Sequence, residues 1–330
     1  MAAVKATTIR TTRTNGARGK AGANGTQRKT RTNGGQSKVS TNGARAYTDE
    51  DVGNVVLLEH VNVTQPEQPL AMLFYLVGMG FTRDPYMNVG LNNIWVNLGE
   101  QEFHLPTRPP QVIPGHIGIV VPDLKALAQR LEAVKEPLAH TKFSYSVENG
   151  YVAATCPWGN QFRCYAPDPE RFGDILLGLP YVEFQVRPGT AAGIARFYEQ
   201  VLGAPSTVEQ DAQGTAARVR IGTFQWLSFR ETQGEIAPYD GHHIAIYVAN
   251  FSGPYAFLKE HDIVMEEPAN HQLRFKEIID PDSGEHLHTL EHEVRNLYHA
   301  MYHRPMVNRN PEQRQQGYLR GHDAFVYTRG

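Results

Sequence analysis

From residue 54 onward, apolar and polar positions follow a pattern in which strands and helices succeed one another. Four segments have the alternating or fully apolar character of buried strands, and each ends at a polar residue or a proline. They are VLLEHVNVT (56–64), PGHIGIVVPD (114–123), PYVEFQVRP (180–188) and GHHIAIYVAN (241–250). Their similarity and their spacing of about sixty residues predict one structural unit present four times.

Each of these strands precedes a segment with helical character. The clearest covers residues 124–134, where apolar side chains at positions 124, 127, 131 and 134 share one face at the 3.6-residue period. Short strands are predicted after each helix, and the tight turns CPWGN (156–160) and DPDSG (280–284) separate the last two in two of the copies. The repeated unit is therefore a strand, a helix and three further strands.

The first 48 residues have a different composition. Asn-Gly pairs begin at positions 15, 24, 33 and 42, and the segment holds ten of the 32 Lys and Arg with none of the 34 Asp and Glu. So little apolar surface cannot offset the entropy of ordering a backbone, about 1–2 kcal/mol per residue. We predict a disordered, basic, low-complexity tail over residues 1–50. An electrostatic tether to an anionic surface and a transit peptide are the functional alternatives to a solvated extension.

The rest of the chain excludes several function classes. Removing the tail leaves 22 basic against 34 acidic side chains, which argues against nucleic acid as a partner of the folded part. No apolar run approaches the ~18 residues of a membrane span. Two cysteines, Cys156 and Cys164, favour a reducing compartment, and we expect a cytoplasmic protein. A dinucleotide-binding glycine motif, a P-loop and a nucleophile elbow are missing from the sequence.

The segments FYLVGMGF (74–81) and FYEQVLGAP (197–205), together with the His-led strands, resemble the vicinal oxygen chelate superfamily of glyoxalases, bleomycin-resistance proteins and extradiol dioxygenases. The resemblance covers about residues 54–295. It implies an α+β fold in which four βαβββ units pair into two half-open mixed β barrels. Units one and two would form one barrel (54–170), and units three and four the other (178–295). Residues 296–330 would form an arm over a barrel or over a neighbouring subunit, as in a homodimer.

The same resemblance implies metal ligands on the first strand of a unit and on its last strand. In the second pair of units it selects Glu183 and His243. The third ligand is His288 when counted from the turn glycine, or Glu291 by residue type. A His/carboxylate site with open positions suits a divalent ion, Fe(II) first, with Mn, Ni or Zn as alternatives. His242 should point the opposite way from His243, because side chains alternate along a strand.

The first pair of units offers a second choice of site, His60, His104 and His116. Arg163 stands there where the family would place a glutamate. Two interpretations stay open: the site has lost its metal, or Arg163 binds an anionic group of the substrate beside a three-histidine metal.

The leading functional hypothesis is a metal-dependent dioxygenase of the extradiol type, acting on a small catecholic or enediol substrate with two adjacent oxygens. Catalytic residues other than the ligands are not assigned. A glyoxalase-like lyase or isomerase is one alternative. A protein that sequesters a small molecule without turnover is the other, since this fold supports many functions.

Overall fold

Each predicted unit is present in the computed structural model, which describes residues 51–84, 92–269 and 271–304. These residues belong to one compact unit, Tyr47–Gly330. The predicted basic tail (1–50) and residues 305–330 of the predicted C-terminal arm lie outside the described residues.

The first two units have the expected order of elements. Unit one contains β1 (Val55–Asn62), α1 (Gln68–Met72) continued by a wider π-helical turn (Leu73–Gly78), β2 (Thr82–Arg83), β3 (Asn93–Leu98) and β4 (Gln101–Pro106). Unit two contains β5 (Gly115–Val120), α2 (Leu124–Ala133), the short α3 (Lys135–Leu138), β6 (Ser144–Val147), β7 (Val152–Thr155) and β8 (Gln161–Tyr165). A one-turn helix, α4 (Pro169–Phe172), links unit two to unit three.

The last two units repeat that order. Unit three contains β9 (Gly178–Val186), α5 (Ala191–Gln200), β10 (Ser206–Asp211), β11 (Gly214–Gly222) and β12 (Gln225–Glu231). Unit four contains β13 (His243–Val248), α6 (Ser252–Glu260), β14 (Val264–Ala269), β15 (Gln272–Ile279) and β16 (His286–Asn296).

The strands form two curved, eight-stranded mixed sheets. Sheet A has the order β14-β15-β16-β13-β1-β4-β3-β2, and sheet B has the order β10-β11-β12-β9-β5-β8-β7-β6. The predicted α+β fold of four βαβββ units in two half-open mixed barrels is confirmed.

The partners of the units differ from the prediction. Unit one shares sheet A with unit four, and unit two shares sheet B with unit three. β1 runs antiparallel to β13, and β5 runs antiparallel to β9. Each unit exposes the edge of its first strand, and all four first strands are apolar, so the hydrophobic pattern fits several pairings. The ladder that forms depends on the detailed fit of the two edges instead of their order along the chain.

One element of that fit is a close approach between β5 and β9. Gly118 pairs with Tyr181, and a β-carbon at Gly118 would lie 2.1 Å from the Tyr181 ring. Only glycine leaves room for the tyrosine there.

Helices pack between the two sheets; the Tyr198 ring of α5, for example, lies 5.4 Å from Phe229 of sheet B and 5.7 Å from His292 of sheet A. α2 begins at Asp123, whose carboxylate accepts hydrogen bonds from the backbone N–H of Lys125 and Ala126. Its Leu127 and Leu131 are fully buried, as the 3.6-residue pattern predicts. The opposite face of each sheet lines a cavity, and we call these two faces the sheet-A cup and the sheet-B cup. Among the described residues, no helix is long and apolar enough to cross a membrane.

Candidate metal centre

The sheet-A cup begins with a bulge in β1. Leu58 pairs with Ile246 and His60 pairs with Ala245, so Glu59 is an extra residue in the ladder. The Glu59 carboxylate lies 3.0 Å from Nδ1 of His60, and both side chains are buried. This contact favours a proton on Nδ1, which leaves Nε2 of His60 with a free lone pair. Within the described part of the chain, that Nε2 atom has no hydrogen-bond partner.

His104 enters the cup from β4, beside β1. Its Nε2–H donates to Oδ1 of Asn93 at 2.6 Å, so Nδ1 is the atom free to bind a metal. The ring stacks on Trp95 with 3.9 Å between centroids and 15° between planes. Both neighbours hold the imidazole in one orientation.

His243 opens β13, on the opposite side of β1. The side chain is buried, with only 9% of the residue exposed. Its Nδ1 lies 3.9 Å from Glu291 and its Nε2 lies 4.0 Å from Glu293. Nε2 of His243 is a second buried ring nitrogen for which residues 51–84, 92–269 and 271–304 provide no hydrogen-bond partner.

These three histidines converge. One ring nitrogen from each of His60, His104 and His243 lies within 4.8 Å of the other two. The His60 ring centroid is 5.9 Å from those of both His104 and His243. Two nitrogens bound to one ion by bonds of about 2.1 Å lie at most about 4.2 Å apart, so a small inward movement of these side chains would let them hold a single divalent ion.

Burial keeps the three imidazoles neutral. Desolvation lowers the pKa of His60, and it lowers the pKa values of His104 and His243 well below the ordinary value of 6.5. A charge on His60 would lower the pKa values of His104 and His243 further, and a charge on His243 would lower that of His104. A neutral imidazole is the form that binds a metal, so the cluster is ready to bind at neutral pH.

An ionic network borders the cluster. Glu293, from β16, contacts Arg274 and Arg295, and Arg295 also contacts Glu59. Burial opposes the ionised form of Glu293, but Arg295, His60 and Arg274 together hold the pKa of this carboxyl far below its usual range. Glu59 likewise has its pKa lowered to about 2, because Arg295 and His60 outweigh the cost of its burial. Both carboxylates are therefore charged at neutral pH.

The register of the ladder relates the halves of sheet A. In the β1–β13 ladder, His60 pairs with Ala245 and Asn62 pairs with His243. A twofold rotation about an axis midway between the two strands exchanges these two pairs of residues. The rotation therefore makes His60 equivalent to His243, and Asn62 equivalent to Ala245.

The same rotation identifies a fourth position. In the parallel ladders, Asn62 pairs with His104 and Ala245 pairs with Glu293. His104 and Glu293 are therefore equivalent. The sheet-A cup thus holds two symmetric pairs, and each contains a histidine from a first strand and a potential ligand from a last strand.

A cavity of about 870 Å³ opens beside this cluster. Its wall includes Trp95, His104 and Glu293, and residues 298–301 of the C-terminal segment complete it. Arg304 anchors that segment through a 2.7 Å contact with Asp84 and a contact with Glu102. The volume suits a small molecule.

The first-choice ligand set does not come together. Glu183 lies on β9 in sheet B and contacts Ser228 and Arg230, whereas His243 lies in sheet A. The cause is the pairing of the units, which separates units three and four. The second-choice set is also divided, because His116 lies in sheet B, where its Nδ1 is 3.5 Å from Glu183.

Neither proposed third ligand is in the cluster. Glu291 accepts a 2.6 Å hydrogen bond from Arg274 and lies near His243 without joining the three nitrogens. His288 packs near Phe184 and lines a separate cavity of about 460 Å³. His242 lines that cavity too, so it points away from His243 as expected, but it is buried and hydrogen-bonded to Asp240 instead of lying on an outer face or rim.

Sequence reasoning missed Glu293. A comparison of the last strands of units one and four could have identified it. When Glu102 of QEFHLP is aligned with Glu291 of LEHEV, His104 aligns with Glu293. The structure makes this alignment directly, because Glu102 pairs with His60 just as Glu291 pairs with His243.

Comparison with known proteins supports the fold. No family model and no curated protein matches the sequence. Glyoxalase I from Zea mays matches with a TM-score of 0.53 and 15% identity, over 75% of this chain and 96% of that one. A glyoxalase I mutant from the same plant gives 0.50 and 15%, over 72% and 93%. A putative dioxygenase from Bacillus subtilis gives 0.49 and 14%, over 74% and 85%.

Proposed function

We propose that this chain, which has the fold of the vicinal oxygen chelate superfamily, is a divalent-metal-dependent enzyme with its centre in the sheet-A cup. The observation that carries the proposal is the convergence of His60, His104 and His243 within 4.8 Å. Leaving two buried ring nitrogens without partners is costly unless a ligand satisfies them. A divalent ion fits this requirement.

We infer a reaction of the extradiol dioxygenase type on a small catecholic or enediol substrate. A divalent ion held by His60, His104 and His243 would supply a Lewis acid for two adjacent substrate oxygens, and Fe(II) would also supply chemistry with dioxygen. Both atoms of dioxygen enter the cleaved product, so the reaction needs no external reductant.

The chain's own residues would bind and polarise the substrate. Arg274 and Arg295 line the cavity, and because Glu59, Glu291 and Glu293 already neutralise them, their role would be to donate hydrogen bonds to a substrate oxygen. His299 is our candidate acid–base residue. Burial lowers its pKa to about 4, and its Nδ1 accepts the backbone N–H of Met301 at 3.3 Å, so its proton sits on Nε2. The C-terminal segment would limit access of water from its side of the cavity.

The test measures oxygen consumption. Metal-free protein is loaded anaerobically with Fe(II) and mixed with catechol in an oxygen electrode. The proposal expects one O₂ consumed per catechol cleaved.

His299→Ala should lower kcat by about 10²–10⁴-fold at unchanged iron content, because general acid–base catalysis contributes that much. His140→Ala, on an exposed site, is the matched control. Iron-loaded protein that consumes no oxygen with catechol contradicts the dioxygenase proposal.

Glu293 favours a second candidate, a glyoxalase-like isomerase or lyase. Its carboxylate lies 4.0 Å from Nε2 of His243, at the position equivalent to His104. As a fourth ligand it would leave two open positions, sufficient for a chelating substrate without dioxygen.

Glu293→Gln separates the candidates. The dioxygenase proposal expects the variant to retain its metal, whereas the isomerase or lyase candidate expects the metal to be lost. The hemithioacetal of glutathione and methylglyoxal is the corresponding probe substrate.

A further inference from the structure

Sheet B forms a second cup with very different side chains. In its central ladder, His116 pairs with Glu183 and Gly118 pairs with Tyr181, so the pseudo-twofold rotation relates His116 to Tyr181. Arg163 pairs with Gly118 in the neighbouring parallel ladder. Arg163 therefore occupies the place that His104 holds in sheet A.

The fourth equivalent position in this cup is Ser228, which pairs with Glu183. Of the four positions that hold three histidines and a glutamate in sheet A, only His116 keeps a metal-binding side chain. Its Nε2 is used in a 3.0 Å hydrogen bond with the Tyr181 hydroxyl. No group of three metal-binding side chains was found in sheet B among the described residues. This cup is unsuited to a metal.

Its charges suit an anion instead. Within the ranges that the structure describes, neither Arg163 nor Arg171 has a carboxylate partner, and both line a cavity of about 520 Å³. Arg163 is half-buried. Glu183 does not compensate for them, because it already lies 3.3 Å from Nε of Arg230. A partly desolvated cation without a partner is unfavourable, and an anion in the cavity would relieve that cost.

Aromatic rings form the rest of the wall. The Arg171 guanidinium lies 4.1 Å from the centroid of the Tyr165 ring, which orients it. The Tyr165 hydroxyl is 3.0 Å from that of Tyr181, and Phe172 packs beside Tyr165 with 5.3 Å between centroids. Tyr165 and Phe172 are buried beneath the Arg171 guanidinium, so the half-buried Tyr181 ring is the surface that a flat ligand ring can contact. A bare inorganic anion cannot exploit such a contact.

We propose that the sheet-B cup is a binding site for a small carboxylate that carries a flat ring, with Arg163 and Arg171 binding the carboxylate and Tyr181 contacting the ring. The site is separate from the metal centre and does not depend on its chemistry.

Calorimetric titration of the full chain with benzoate tests the proposal. Benzyl alcohol keeps the ring and removes the charge, and inorganic phosphate keeps the charge and removes the ring. Benzoate should bind more tightly than either. Arg163→Gln and Arg171→Gln should each weaken benzoate binding about 10- to 100-fold, the size expected for a lost charge-assisted hydrogen bond.

Two controls make the result specific. Arg108→Gln changes an exposed arginine outside the cup and should leave benzoate binding unchanged. His104→Ala removes a metal ligand and should also leave it unchanged, so failure of the metal proposal is distinguishable from failure of this one. Absence of benzoate binding, wild-type affinity in both arginine variants, or equally tight binding of phosphate or benzyl alcohol would overturn the proposal.

Discussion

At the scale of single residues, the proposed metal centre depends on neighbours that orient the imidazoles of His60 and His104. Glu59 directs Nε2 of His60 into the cup, and Asn93 together with Trp95 fixes His104. The sequence alone placed histidines at these positions, but it could not show the Glu59 bulge. A bulge depends on how two strands pair, which local sequence does not encode.

Asn93→Ala should weaken metal binding about 10- to 100-fold, because a ligand that loses its orienting hydrogen bond binds less well. Competition with a chromophoric chelator measures this. Asn92→Ala, at the exposed neighbouring position, is the matched control and should bind as tightly as the wild type. Equal affinities in the two variants would show that Asn93 does not position His104.

The two cysteines should be unreactive in the folded protein. Cys156 and Cys164 are both free and fully buried, and burial raises the pKa of Cys164 to about 12. The thiolate is the reactive form, so a chromogenic disulfide reagent at pH 8 should modify neither residue until denaturant is added. Rapid modification of the native protein would contradict this burial.

At the scale of elements, the sequence predicted what lies within a unit and failed between units. The order of strands and helices in each unit follows from hydrophobic periodicity, which is a local property. The pairing of β1 with β13 and of β5 with β9 joins residues far apart in the chain. This long-range pairing determines which candidate ligands lie in the same sheet. The prediction paired unit three with unit four, and it therefore placed Glu183 and His243 in one site although they lie in different sheets.

Gly118→Ala tests the fit between β5 and β9. The new methyl group would overlap the Tyr181 ring, and overpacking of this kind costs about 1–3 kcal/mol in the free energy of unfolding. Chemical denaturation measures the loss. In a Tyr181→Ala background the same substitution should cost much less, since the overlapping ring is gone. An equal cost in both backgrounds would exclude the ring as the cause.

At the scale of the whole molecule, burial of many neutral histidines makes stability sensitive to acid. Burial lowers the pKa of His292 to about 3 and those of His116 and His288 to about 4. In the unfolded chain these groups titrate near 6.5, so below that pH the unfolded state binds more protons than the folded state. The unfolding free energy should therefore be highest above pH 6.5 and should fall as the pH approaches 4.

Denaturant titrations of the metal-free protein between pH 8 and pH 4.5 measure this dependence. For the fully buried His292, each unit of pKa difference corresponds to about 1.4 kcal/mol. His292→Leu should flatten the profile, although it also removes a hydrogen bond to Tyr198. A stability that stays constant or rises on acidification would contradict the neutral, buried state of these imidazoles.

The most direct measurement is the metal content of purified wild type and of four alanine variants, determined by elemental analysis. The account predicts one divalent ion per chain in the wild type, loss of that ion in His104→Ala and His243→Ala, and retention in His116→Ala and Glu183→Ala. Retention in the first pair with loss in the second would place the metal in sheet B and contradict the central claim. A wild type that binds no divalent ion would contradict it as well.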